Sequence, residues 1–216
     1  MKLNVKFIAI CAVLVALSFL LTLISIPLPL FPPWLKLDFA DIPAILGGFY
    51  CFAYALKAAP EKKKAALWTG IVAVVCIVVL KNVLNFLIKG PSYGGLGELA
   101  NALMGLGFAL PAVILYRPGC SVPRMCLGLG AGVALGTFLA ILANIYLLIP
   151  ATGISAESLA GIMNPIFSLV KYPAEADALW GYGLLAVLPF NIIKMGLQSL
   201  LLLLLGRKLL PILIKG

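Results

Sequence analysis

The stretch Ala65-Ala-Leu-Trp-Thr-Gly70-Ile-Val-Ala-Val-Val75-Cys-Ile-Val-Val-Leu80-Lys81-Asn82-Val-Leu-Asn85-Phe-Leu-Ile-Lys89 decides the fold of this chain. Its apolar part is long enough to cross a bilayer as a helix, which takes about 20 residues. Towards its C-terminal end it carries Lys81, Asn82 and Asn85. Hydrocarbon penalises each isolated polar group by roughly a few kcal/mol, so such residues face a cavity or a partner. One stretch therefore announces both a membrane span and something polar enclosed at one end of it.

Five further stretches share its length and character: Val5 to Ile26, Phe39 to Lys57, Gly97 to Tyr116, Met125 to Ile149 and Leu184 to Leu210. Pro43 falls in a first helical turn, where its missing N–H is harmless. Pro27, Pro29, Pro32, Pro33, Pro60, Gly90-Pro91, Pro118-Gly119, Pro150 and Gly153 mark the breaks. The chain is 63% hydrophobic and only 11% charged, against about a quarter charged in soluble domains. Mean hydropathy is +1.16. The expectation is an all-α integral membrane protein: one domain over 1–216, six transmembrane helices, and almost no mass outside the bilayer. The N-terminal run begins after Lys2 and Lys6 like a secretory signal, but it ends in Pro27-Leu-Pro29 without a small-x-small cleavage site. It reads as the first span.

Orientation follows from Lys and Arg in the connections. Lys2, Lys6, Lys57, Lys62, Lys63, Lys64, Arg117, Arg124, Arg207, Lys208 and Lys215 fall on one side, and only Lys36, Lys89 and Lys171 on the other. Both termini are expected in the cytoplasm of a multi-pass plasma-membrane protein. Membrane topology accounts for the net charge of +9, and no basic soluble face is left over for nucleic acid.

With this orientation Asn85, Glu98, Asn101, Asn144, Asn191 and Lys194 all fall near the outer ends of their helices. Asn191 and Lys194 are three apart and share a helical face. Amides offer a donor and an acceptor together, and lysine adds a cation. The set suits a flat heteroaromatic whose edge alternates C=O and N–H groups, although asparagines also bond helix to helix in membranes. Lys81 and Asn85 share another face, and Asp38, Asp41 and Glu98 are the carboxylates available to Lys81.

The outer connections are richer than the basic cytoplasmic ones. The first, Pro27 to Asp38, carries Phe31 and Trp34. The long segment Ala151 to Gly183 holds Trp180, Tyr172 and Tyr182 with Glu157, Glu175 and Asp177. Such aromatics serve as a lid or as lipid anchors. The run Gly90-Pro-Ser-Tyr-Gly-Gly-Leu-Gly97-Glu98 lacks the Gly-Lys-Ser/Thr ending of a phosphate loop, and its glycines suit close backbone approach to a ligand. Ala9, Ala12 and Ala16 form a small-residue stripe on the first span, suited to close helix packing.

Enzyme chemistry finds little support. There is no histidine, and Cys11, Cys51, Cys76, Cys120 and Cys126 show no CxxC spacing. They read as small core hydrophobes, with no metal site, cofactor or disulfide framework.

The runs Trp34-Leu-Lys-Leu37-Asp38-Phe39-Ala-Asp41-Ile-Pro43-Ala-Ile-Leu-Gly-Gly-Phe49, Leu80-Lys-Asn-Val-Leu-Asn85-Phe, Gly95-Leu-Gly97-Glu98-Leu-Ala-Asn101, Ala143-Asn144-Ile-Tyr-Leu-Leu-Ile-Pro150 and Leu188-Pro-Phe-Asn191-Ile-Ile-Lys194 resemble the substrate-binding S components of energy-coupling-factor (ECF) vitamin transporters, in particular the riboflavin type. The likeness is spread over nearly the whole chain, in the family's order. It implies riboflavin bound as substrate in an outer-half cavity capped by the first and fifth connections. It implies Asn144, Asn191 and Lys194 on the isoalloxazine edge and Gly97, Glu98 and Asn101 near the ribityl chain, with Leu37, Phe39 and Asn85 also in the site. It further implies that Ala9, Ala12 and Ala16 dock a membrane T component driven by two cytoplasmic ATPase subunits. Family members join the second and third spans by a short Gly-Pro junction, whereas this chain has the longer, basic Ala55-Leu-Lys-Ala-Ala-Pro60-Glu-Lys-Lys-Lys64. Another vitamin, a flavin analogue such as FMN, or an intramembrane enzyme are the alternatives.

Overall fold

The computed structural model describes residues 5–173 and 176–215. Lys2 and Glu175, used above in reading charge, lie outside them. The chain runs through α1 (Val5–Leu23), a hairpin of β1 (Ile26–Pro27) and β2 (Lys36–Leu37), α2 (Asp41–Ala58), α3 (Lys63–Lys89), a tight turn over Ser92–Gly95 and α4 (Leu96–Leu115). Then come α5 (Val122–Ala143), which continues through a π-helical turn (Asn144–Leu148) into α6 (Ile149–Thr152), and a peripheral helix α7 (Ala156–Val170). Finally α8 (Ala178–Tyr182) passes through a second π turn (Gly183–Val187) into α9 (Leu188–Lys215).

Among the described residues, five helical stretches are long and apolar enough to cross a bilayer: Val5–Leu23, Lys63–Lys89, Ser92–Leu115, Val122–Thr152 and Ala178–Gly206. Their outward faces are apolar, as Val72, Val79, Val83 and Leu87 on α3 illustrate. Such a surface is stable in lipid and a liability in water. The helix expected as the second span, α2, differs for a physical reason. It packs against α1, α3, α4 and α9, and all but four of its 18 residues are buried in protein. Gly47, Gly48, Tyr50 and Asp41 serve those contacts at the expense of hydropathy.

Helices approach closely where side chains are missing. A Cβ on Gly132 of α5 would lie 2.2 Å from the Phe108 carbonyl oxygen of α4, and one on Gly70 of α3 would lie 2.7 Å from the Gly48 oxygen of α2. Small residues at crossings are how helices associate without a hydrophobic drive. The largest apolar cluster includes Phe49, Tyr50, Val74, Phe108, Val113 and Met195, and a second cluster gathers Leu35, Ile145, Ile149, Leu159, Met163, Tyr182 and Phe190. All five cysteines are free; Cys51 is buried, whereas Cys76 and Cys126 are exposed and not core residues as expected. Cys11 and Cys51 bring their sulfurs to 3.6 Å.

Two features depart from the sequence expectation. The first outer connection contains the short β1–β2 hairpin, with Ile26 opposite Leu37 and Pro27 opposite Lys36. The fifth and sixth apolar stretches each pass through a π turn just before a proline, Pro150 and Pro189. A proline inside a helix clashes with the carbonyl four residues back, and widening the turn relieves it. The helix therefore runs on past Pro150 for two residues to Thr152, and the last span starts at Ala178 rather than Leu184.

Candidate functional site

Every second helix runs the same way, so one end of the bundle collects the C-terminal turns of α1, α3 and α5 and the first turns of α2, α4 and α9. A cavity of about 330 Å³ opens there. It is the end whose connections are poor in Lys and Arg. Leu35, Met104, Leu148, Ile149, Phe190 and Met195 supply apolar wall, and polar and charged side chains make up most of the remaining lining.

Asn85, Gly97, Asn101, Asn144, Asn191 and Lys194 all line this cavity. Asn144 and Asn191 are buried, and each donates its amide N–H to the carbonyl four residues back, Ala140 at 2.9 Å and Val187 at 2.8 Å. Asn82, another lining residue, does the same with Val78 at 2.9 Å. These back-bonds fix the amides against the helix. Lys194 donates to Asp38 Oδ2 at 2.7 Å, which leaves two further ammonium hydrogens. Asn85 Oδ1 is buried and has no hydrogen-bond partner among the described residues. A buried acceptor without a donor costs stability until one arrives.

Three expected residues stand elsewhere. Glu98 is buried but lies behind the wall. Its carboxylate accepts from Asn85 Nδ2 at 3.3 Å and from the Ser92 main-chain N–H at 3.2 Å, which binds the glycine-rich turn to α3. Leu37 is buried outside the cavity because side chains alternate along a strand, and its neighbours Lys36 and Asp38 line the site instead. Phe39 packs against the larger apolar cluster. In the glycine-rich turn, Gly94 and Gly95 take positive φ of 66° and 96°. A Cβ on Gly97 would meet Ser92 at 2.6 Å, so its smallness serves the turn's own packing. The alanines Ala9, Ala12 and Ala16 are exposed on the outer face of α1.

Residues not anticipated in the site include Asp38 and Asp41. Asp41 is ion-paired with Lys81, which settles Lys81's partner among the three carboxylates considered, and both residues also line the cavity. The floor thus holds two acids and two lysines in balance. Burial pushes the Asp38 carboxyl up, but the charges of Lys194 and Lys81 outweigh it and hold the group below the ordinary carboxylate value. Chain composition offered a signal: two carboxylates beside the first outer connection match two lysines inside spans, and membrane interiors tolerate charge only in pairs.

The first connection forms part of the wall through Trp34, Leu35, Lys36 and Asp38. Of the long segment Ala151 to Gly183, only Thr152 lines the cavity among the described residues. Beyond it, α7 buries Leu159 and Met163 in the neighbouring apolar cluster and is a brace beside the site.

A family model described as "ECF transporter, substrate-specific component" matches residues 65–206. The riboflavin transporter FmnP of Bacillus subtilis is 30% identical over 193 residues, covering 88% of this chain and 85% of that protein. The riboflavin transporter RibU of Staphylococcus aureus is 30% identical over 210 residues, covering 97% and 92%. Among solved structures, the S component of a bacterial ECF transporter is similar with a TM-score of 0.63 at 29% identity, over 96% of this chain and 97% of that one. A polar-lined cavity at one end of a membrane bundle and this agreement along nearly the full sequence have one reading: the chain belongs to the substrate-specific components of ECF transporters.

Proposed function

We propose that the chain captures riboflavin at the outer face of the plasma membrane and hands it to an ECF transporter for ATP-driven uptake. The observation that carries this is the convergence of Asn144, Asn191 and Lys194 on one polar-lined cavity, in a chain 30% identical to proteins named riboflavin transporters. A cavity of about 330 Å³ lies at the small end of the range for ligand sites, roughly 300–1,000 Å³. That suits a single tricyclic ring system with a short tail. The amides and the Lys194 ammonium meet the polar edge of the ring, and Phe190, Met104, Leu148 and Trp34 meet its faces. Gly97, Asn101 and Asn85 stand towards the mouth, near the ribityl hydroxyls.

The chain contributes binding and no chemical step. In this reading α2 is the sixth transmembrane pass, both termini are cytoplasmic, and the basic connections Lys57 to Lys64 and Arg117 to Arg124 lie on the cytoplasmic side. Release then depends on a membrane T component, seated on the Ala9, Ala12 and Ala16 face, and on two ATPase subunits. Riboflavin fluorescence is quenched when the ring is enclosed, so titration of the purified protein tests the reading directly. The expected dissociation constant is on the order of nanomolar, near 12 kcal/mol of binding free energy. Absence of quenching at micromolar riboflavin overturns it.

A further inference from the structure

We infer that Tyr182, with Trp34 behind it, is a positioning residue that fixes which end of the Asn144 amide the ligand meets. The inference rests on the riboflavin reading and concerns the polarity of the recognition.

Asn144 is the first residue of one π turn, and Tyr182 immediately precedes the other. The two turns touch: a Cβ on Gly183 would lie 2.8 Å from Ile145 Cδ1. Across this contact the Tyr182 hydroxyl sits 2.7 Å from Asn144 Oδ1, and Trp34 Nε1 sits 2.9 Å from the same hydroxyl. Tyr182 is 0% exposed and Asn144 2%, so water does not compete for the bond between them.

The direction of this relay is set by its members. An indole nitrogen can only donate. Trp34 therefore gives its proton to the Tyr182 oxygen, and the hydroxyl proton is directed onward. A donated proton needs an acceptor, so the atom of Asn144 facing Tyr182 is the oxygen and not the nitrogen. The other end of the amide donates to the Ala140 carbonyl at 2.9 Å. Both bonds hold the amide the same way round, and its second N–H remains for the cavity that Asn144 lines. The site thus presents a donor at this point and selects a ligand with an acceptor there, such as a ring carbonyl. A ligand bearing an amino group instead meets N–H against N–H. A site built for one polarity rejects the other strongly, because its buried group is left unpaired. Tyr182 is not among the cavity-lining residues, so its influence passes through Asn144.

The test compares riboflavin with its 2-amino and 4-amino analogues, in which a ring-edge carbonyl is replaced, on the full-length parent and on Tyr182→Phe. The parent is expected to prefer riboflavin by about a hundredfold over the analogue altered at the carbonyl that meets Asn144. In Tyr182→Phe the amide is released on one side. Riboflavin affinity is expected to fall about fivefold, and the preference over that amino analogue to shrink by a further factor of about five or more. A residue that merely supports the fold weakens all ligands alike, so an unchanged preference overturns the inference even if affinity drops. Should Tyr182→Phe not fold, Trp34→Phe serves in its place. Trp34 also lines the cavity, so this variant weakens both ligands through the ring face; loss of the donor that directs the hydroxyl is read in the preference alone, which is expected to shrink, and an unchanged preference again overturns the inference. A parent chain that binds no riboflavin overturns the underlying reading, and the inference with it.

Discussion

Replacing Lys194 with Met, Asp38 with Asn, and both together measures what holds the first connection against the bundle. The pair meets at 2.7 Å with 13% and 19% of the two side chains exposed, so it is mostly withdrawn from water and borders the cavity. Removing one partner of a fully buried pair costs roughly 3–5 kcal/mol, mainly because a charge is left behind. Here Asp38 keeps a bond from the Ala40 N–H at 3.0 Å, and the open cavity admits water. Lys194→Met is therefore expected to cost about 2 kcal/mol, less than the buried limit. For a chain of this size that lowers the melting temperature by roughly 4–8 °C. The double variant removes both charges and is expected to recover at least half of the summed single losses, a coupling of about 1–2 kcal/mol.

The same pair sets a pH signature. Asp38 has a folded value below its unfolded one, so its stabilisation is fully present above pH roughly 4 and is lost as pH falls through the lower folded value. Melting of the detergent-solubilised parent should be flat in this contribution from pH 8 to 5 and should fall only below about pH 4, and Asp38→Asn should remove that part of the fall. Additive single and double losses, or single losses under about 0.5 kcal/mol, refute the reasoning: the pair is then a solvated contact of the kind that contributes little.

Three further outcomes are expected at single positions. Asn191→Ala should weaken riboflavin binding by roughly tenfold or more in a fluorescence titration, since a buried amide at the ring edge is lost; an unchanged affinity removes Asn191 from the site. Gly132→Leu places a side chain whose Cβ falls 2.2 Å from the Phe108 oxygen, so α4 and α5 must separate. A loss above about 2 kcal/mol in thermal stability is expected, and a neutral result refutes the crossing geometry. Ala12→Trp, on the exposed face of α1, should leave riboflavin affinity of the isolated chain unchanged while abolishing uptake by the assembled transporter, and undiminished uptake refutes docking on that face.

What the sequence disclosed and what it withheld divide along one physical line. Lipid imposes a length and a polarity on each segment separately, and so the helices and the end at which polar groups gather could be read locally. Asn144 meets Asn191 and Lys194 in space because two helices, α5 through its π turn and α9, carry them to the same end of the bundle. Contacts decided between segments were not legible in that way. Lys194 and Asp38 are 156 residues apart, and only the balance of two lysines against two carboxylates hinted at their pairing. Leu37 shows how sharp the limit is. A two-residue strand turns its neighbours Lys36 and Asp38 to the cavity and Leu37 away, so a reading correct to within one residue chose the wrong face.

The π turns show the same limit within a single helix. Pro150 was visible as an interruption and Pro189 fell unmarked inside the last apolar stretch, and neither position says by itself whether a helix stops or widens. Here both widen: a π turn precedes each proline and takes up the clash of its ring with the carbonyl four residues back. Each widened turn rotates the helix beyond it by an extra residue. Asn191 and Lys194 lie just beyond the second turn, and Asn144 opens the first. The widened turns before Pro150 and Pro189 thus help aim Asn144, Asn191 and Lys194 at the cavity, in keeping with the use of π turns at functional sites.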